Sequence, residues 1–229
     1  MRNIFGNSEK QETAAGRGKD EGKERGEDMN TGKKTGVHRT LSRNFERRVK
    51  SELFLEESLP WHFNPGEAYH CFSFGDVDAL TYLRAILKQQ PLEYILLSTF
   101  SMAITDAETL LRWQSQGLIG RIDLYLGEIF DSKFVEVYNT LKEAAALRCG
   151  RVAVFRNHSK VMAGFGERFD FAVEGSANLN SNPRCEQTVI TLDTGLARFY
   201  KEEIFDNIRS FNKDFDDWKP YKLKRDETV

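Results

Sequence analysis

The chain has 229 residues, with 33 Lys/Arg against 35 Asp/Glu. Its charge is uneven: residues 1–50 hold 13 basic and 8 acidic side chains, and residues 51–229 hold 20 and 27. That distribution excludes the uniformly basic profile of a dedicated nucleic-acid-binding domain and leaves one clearly basic stretch, Lys33 to Lys50, with Glu46 as its only acid.

Residues 1–36 are rich in Gly, Lys, Glu, Asp and Thr and bury too little apolar surface to offset ordering entropy, so a disordered polar tail is expected. Residues 37–58 are expected as a basic linker or helix, with Val49, Leu53 and Phe54 on one face. The folded domain is expected over residues 59–229, with Trp61, His62 and Phe63 covering an edge of its core.

From there strand and helix patterns alternate. Tyr69–Phe74 reads as a strand, and Asp76 as the cap of a helix from Val77 to Lys88 that Pro91 ends. Tyr94–Phe100 is an apolar strand. Thr105 and Glu108 form a capping-box pattern at the start of the next helix, whose stripe holds Leu110, Leu111 and Trp113. Ile122–Leu126 is a strand. Ser132–Arg148 repeats Phe134, Val137, Tyr138, Leu141, Ala145 and Leu147 at helical spacing and ends at Gly150. Arg151–Phe155, Val161–Phe165 and Phe169–Glu174 are strands, with Gly164, Gly166 and Glu167 in the turn between the last two. A final helix spans Leu196–Phe211. The alternation predicts an α/β fold with a mixed, mostly parallel sheet flanked by helices.

Cys71, Cys149 and Cys185 include no CxxC pair, which argues against a disulfide framework or structural zinc and fits a reducing compartment. No apolar run approaches the ~20 residues that span a bilayer, and the N-terminus lacks a signal-peptide core, so a cytoplasmic protein with no membrane span is expected.

The chemistry concentrates between Asn157 and Glu186. His158 and Lys160 are two residues apart, and so are Ser176 and Asn178 in Gly175-Ser176-Ala177-Asn178. A two-residue step in extended chain puts both side chains on one face, so two adjacent strand ends aim imidazole, ammonium, hydroxyl and carboxamide at one spot. That set suits a phosphate diester. Imidazole attacks phosphorus or moves a proton near neutral pH, Lys160 attracts the non-bridging oxygens, and Ser176 and Asn178 donate to them. Glu186 is placed to accept from one imidazole nitrogen and fix the tautomer.

The H-x-K and G-S-x-N pair, with the downstream Glu186, resembles the HKD signature of the phospholipase D superfamily, and residues 65–211 resemble one half of that fold. The resemblance implies a metal-independent hydrolase that needs no cofactor. It makes His158 a phosphohistidine nucleophile or its acid partner, Lys160 and Asn178 phosphate ligands, and Gly175 and Ser176 their support. It also implies two motif copies per site. His38, His62 and His70 have no Lys two residues on, and there is no internal repeat, so the second motif is expected from another protomer in a homodimer, as in the superfamily's small bacterial nucleases. The sequence departs from the pattern at Phe165, where the family has Asp; Asp170 lies ten residues after Lys160. A nuclease acting on DNA or RNA is the expected function. The alternative is a catalytically weakened binding or scaffold protein whose basic N-terminal arm docks nucleic acid or a protein partner.

Overall fold

The computed structural model describes residues 43–60, 62–148, 150–180, 183–211 and 219–227. The 1–36 tail, residues 33–42 of the basic stretch, Trp61, Cys149 and Trp218 lie outside the described residues. Among those described, β1 spans Ala68–Ser73, β2 Leu92–Thr99, β3 Ile119–Gly127, β4 Arg151–Phe155, β5 Val161–Gly166, β6 Asp170–Gly175 and β7 Glu186–Thr191. The helices are α1 Arg43–Ser58, α2 Ala79–Leu87, α3 Ile104–Ser115, α4 Phe130–Lys133, α5 Val135–Arg148 and α6 Thr194–Arg198.

The seven strands form one sheet in the order β1-β7-β6-β5-β2-β3-β4. β2, β3 and β4 are parallel neighbours linked through α3 and then α4–α5, the βαβ units that the alternation predicts. The other four junctions are antiparallel. Five strands run one way and only β5 and β7 run against them, so the sheet is mixed as expected, while most neighbours are antiparallel.

β2 sits inside the sheet and is buried on both faces, which is why its sequence is an almost unbroken apolar run. Ile95 and Leu97 face a core shared with α2, α3 and α5. Tyr94 and Leu96 face a smaller core with Phe165, Ala197, Phe205 and Leu223. Each fully buried Leu, Ile or Phe contributes about 1.5–3 kcal/mol. α1 lies outside α2, joined by the Arg84–Glu52 and Lys88–Glu56 ion pairs. Leu55 is the buried apolar residue of its described side chains, whereas the expected contacts Leu53 and Phe54 are exposed.

Several boundaries differ from expectation for identifiable reasons. Asp76 is not the helix cap: its carboxylate accepts from Phe74 N at 3.1 Å, and α2 begins after Asp78, whose carbonyl accepts from Thr81 N at 2.9 Å. The capping box at Thr105 does not form, because α3 already starts at Ile104 with Ala103 at the cap position. Phe134 leaves helical geometry at φ −120°, ψ 41°, splitting the Ser132–Arg148 helix, and Leu147 points outward. The final helix breaks up into α6, a π-helical stretch Phe199–Ile204 and a 3-10 turn Phe205–Asn207. The break coincides with Lys201 turning inward to a buried ion pair with Asp206 at 2.7 Å. Trp113 packs in the core as expected.

Gly164 is not a turn residue. It lies within β5 opposite Phe171, whose ring occupies the space a side chain would need, 2.4 Å from an added Cβ. Because that ring is fully buried, Gly164→Ala is expected to overpack the core and lower stability by about 1–3 kcal/mol in denaturant unfolding. An unchanged midpoint would contradict this packing.

Candidate active site

All seven strands deliver one end to the same rim of the sheet. The C-terminal ends of β1, β2, β3, β4 and β6 meet the N-terminal ends of β5 and β7 there. Ser73 pairs with Glu186, Gly175 donates its N–H to Lys160 O at 3.2 Å, and Ser98 pairs with Val161. His158 and Lys160 occupy the segment between β4 and β5, just outside the strands, and Ser176 and Asn178 follow β6. The two half-motifs, separate in sequence, are therefore adjacent across the β5–β6 junction.

Lys160 Nζ lies 2.8 Å from His158 Nδ1 and 2.6 Å from His158 O. An ammonium only donates, so Nδ1 accepts and a neutral ring carries its proton on Nε2. The imidazole packs against the Phe100 ring at 4.7 Å. Burial pushes the Lys160 pKa down, and the Glu186 carboxylate opposes that shift.

Asn178 is fixed from one side. Phe100 N donates to its Oδ1 at 3.2 Å and Thr99 Oγ1 lies 3.4 Å away. A backbone N–H only donates, so the carboxamide oxygen must be the engaged atom, which leaves the NH2 to offer a ligand. Leu179 N donates to Thr99 Oγ1 at 3.2 Å, and Ala103 N to Leu179 O at 2.9 Å, tying this loop to the end of β2. Ser176 Oγ donates to Glu186 Oε2 and accepts from Gln187 N at 3.0 Å. Glu186 was expected to orient an imidazole. Within this chain its Oε2 accepts from Ser176 Oγ, and the contact on His158 Nδ1 is Lys160.

Phe165 lies five residues along the chain from Lys160 and is buried in the smaller core beside Tyr94. Asp170 stands opposite Phe165 in the β5–β6 ladder and pairs with Arg225 at 2.7 Å. Both belong to the far end of the hairpin, so Asp170 supports the C-terminal segment and not His158.

The remaining candidates separate from the site. His70 and Cys71 are consecutive on β1 and point to opposite faces, so they do not form a metal pair. His70 pairs with Val189 at the sheet edge, three strand spacings or about 14 Å from β5. Cys185 is an exposed free thiol. No group of three or more His, Cys, Asp or Glu among the described residues is placed to hold a metal ion. No described helix is long and apolar enough to cross a membrane.

Ser98, Thr99 and Phe100 also line this rim and were not expected there from the sequence. Their signal is a polar step at the end of an apolar strand, the position at which open α/β sheets present ligand-binding groups. β7 was not expected either, although Thr188 and Ile190 alternate inward as a strand requires.

No protein-family model matches the chain, and no curated protein matches it. Among solved structures it is similar to phosphatidylserine synthase of Haemophilus influenzae, at 12% identity and TM-score 0.45 over 59% of this chain and 37% of that one. It is also similar to polyphosphate kinase of Porphyromonas gingivalis, at 12% identity and TM-score 0.42 over 57% of this chain and 24% of that one. The chain thus spans well under half the length of either.

An oxyanion held at this rim would draw on the Lys160 ammonium, whose pKa burial lowers. Inorganic phosphate binding followed by calorimetry is expected to weaken on raising the pH before the ordinary lysine range is reached. In Lys160→Arg, whose guanidinium stays charged, that fall is expected to disappear. An unchanged pH profile in the variant would remove Lys160 from the binding site.

Proposed function

We propose that this chain is a phospholipase D-like phosphodiesterase that hydrolyses its substrate through a phosphohistidine on His158 and completes its site as a homodimer. The observation that carries the proposal is the meeting of the two half-motifs. The His158–Lys160 pair touches the strand end that carries Ser176, with the Asn178 NH2 presented beside it.

Phosphate oxygens draw the Lys160 ammonium away from Nδ1. That nitrogen then holds the ring proton, and Nε2 becomes free to attack phosphorus. A P–N bond forms as the P–O bond to the leaving alcohol breaks. The partner's His158, acting as an imidazolium with both ring nitrogens protonated, gives that oxygen its Nε2 proton and is left neutral. The same ring then takes a proton from water, whose oxygen displaces the histidine and restores both rings. Lys160, Ser176 and Asn178 stabilise the charge on the non-bridging oxygens throughout. DNA or RNA is the favoured substrate class because of the basic Lys33–Lys50 arm, although the acidic balance of residues 51–229 weakens long-range attraction for phosphate.

One observation favours the scaffold alternative: Phe165 is built into the core where the resemblance calls for Asp. A single assay separates the two readings. In chelator-treated buffer, wild type is expected to cleave bis(p-nitrophenyl) phosphate and single-stranded DNA, with a loss of about 10³-fold or more in His158→Ala. Acid quenching is expected to trap an acid-labile phosphoryl adduct on His158. Equal turnover by the two proteins would end the phosphohistidine mechanism, and no turnover by either would favour the scaffold.

A further inference from the structure

We infer that Asn157 is the positioning residue for the His158 imidazole, acting with Ser98 as a clamp beneath the catalytic segment. This rests on the phosphodiesterase reading and adds a residue to which the H-x-K pattern gives no role.

Asn157 is buried beside an exposed histidine, and both ends of its carboxamide are engaged. Nδ2 donates to Ser98 Oγ at 2.8 Å and to Tyr125 O at 2.9 Å. Oδ1 accepts from Ser159 N at 3.0 Å and Ser159 Oγ at 2.7 Å. Ser98 Oγ and Ser159 Oγ lie 2.6 Å apart, which closes the ring of contacts. The residues before and after His158 are thus both fastened into the gap between the ends of β2 and β3.

His158 is left as the outward residue of a segment fixed on both sides. Its ring is then bounded by Phe100 on one side and Lys160 on the other. The end of β3 is shaped for this approach. A Cβ on Gly127 would stand 2.8 Å from the Phe100 ring and 3.0 Å from Asn157 O. A buried amide that saturates both of its polar ends costs little to keep and fixes one arrangement of the segment. Displacement of a reacting group by about 1 Å costs on the order of 10²-fold in rate. Phosphate affinity depends on Lys160, Ser176 and Asn178, and the last two are anchored elsewhere, on β7 and β2.

The test uses Asn157→Ala and Ser98→Ala in the full chain. Asn157→Ala is expected to lower kcat by about 100-fold with KM changed by less than about threefold, and Ser98→Ala to lower kcat by a smaller factor. Ser159→Ala, which keeps the backbone bond to Oδ1, is expected to cost less than Asn157→Ala. A second readout does not depend on activity. The Phe100 ring is expected to displace the His158 ring-proton shifts from their free-histidine values in proton NMR, and that displacement is expected to collapse in Asn157→Ala. A folded Asn157→Ala protein with wild-type kcat, or with the His158 shift intact, would overturn the positioning role. If wild type and His158→Ala prove equally active, the phosphodiesterase reading fails and the NMR shift alone decides the positioning claim. If Asn157→Ala does not fold, Ser98→Ala decides by the same two readouts.

Discussion

β5 runs against both of its neighbours, and the rim of the sheet depends on that reversal. Because β2 and β6 point towards the rim and β5 away from it, the segment entering β5 emerges between the ends of the other two. Lys160 thereby reaches Gly175 on one side, and Asn157 and Ser159 reach Ser98 on the other. A β5 parallel to β2 would send His158 and Lys160 to the opposite end of the sheet, away from Ser176 and Asn178. The direction of β5 is fixed by its short hairpin to β6, which Gln90 secures by accepting from Arg168 N at 2.9 Å and donating to Phe169 O at 2.7 Å.

The same rim shows how the side chains divide their work. Groups that would meet a ligand are held by neighbours that would not. Asn178 is turned by the Phe100 N–H and Ser176 by Glu186, and the segment that carries His158 is tied down through Asn157 and Ser159. In the proposed mechanism these atoms would have a fixed direction before a ligand arrives, the condition under which donors stabilise developing charge without reorganising. Lys160 is the exception. Its ammonium bonds its own His158, so in the proposed mechanism a phosphate ligand would have to take that bond over, which would couple binding to the imidazole tautomer.

Much of this was legible in the sequence because it is local. The periodic runs gave six of the seven strands and the helical segments, and the paired spacing of His158/Lys160 and Ser176/Asn178 gave the half-motifs. What was not legible depends on contacts between distant residues. β7 pairs with β1 more than a hundred residues earlier, and its six residues read equally well as the end of a motif. The last helix is a regular pattern in sequence, broken where Lys201 finds Asp206 in the core. Ser98 and Phe100 look like any strand end until the sheet order sets them beside Asn157 and His158. Glu186 was expected to meet an imidazole, and its partner in the chain is Ser176, a choice made by the β6–β7 register.

Among the described residues one imidazole, that of His158, lies at this rim, so the proposed mechanism depends on two chains sharing a site. The most direct measurement is activity after subunit exchange between wild type and His158→Ala at fixed total concentration. If each site needs a His158 from both copies of a two-fold dimer, activity follows the square of the wild-type fraction and falls to roughly a quarter at equal amounts. A fall in simple proportion, to about half, would mean that one chain works alone and would contradict the shared site.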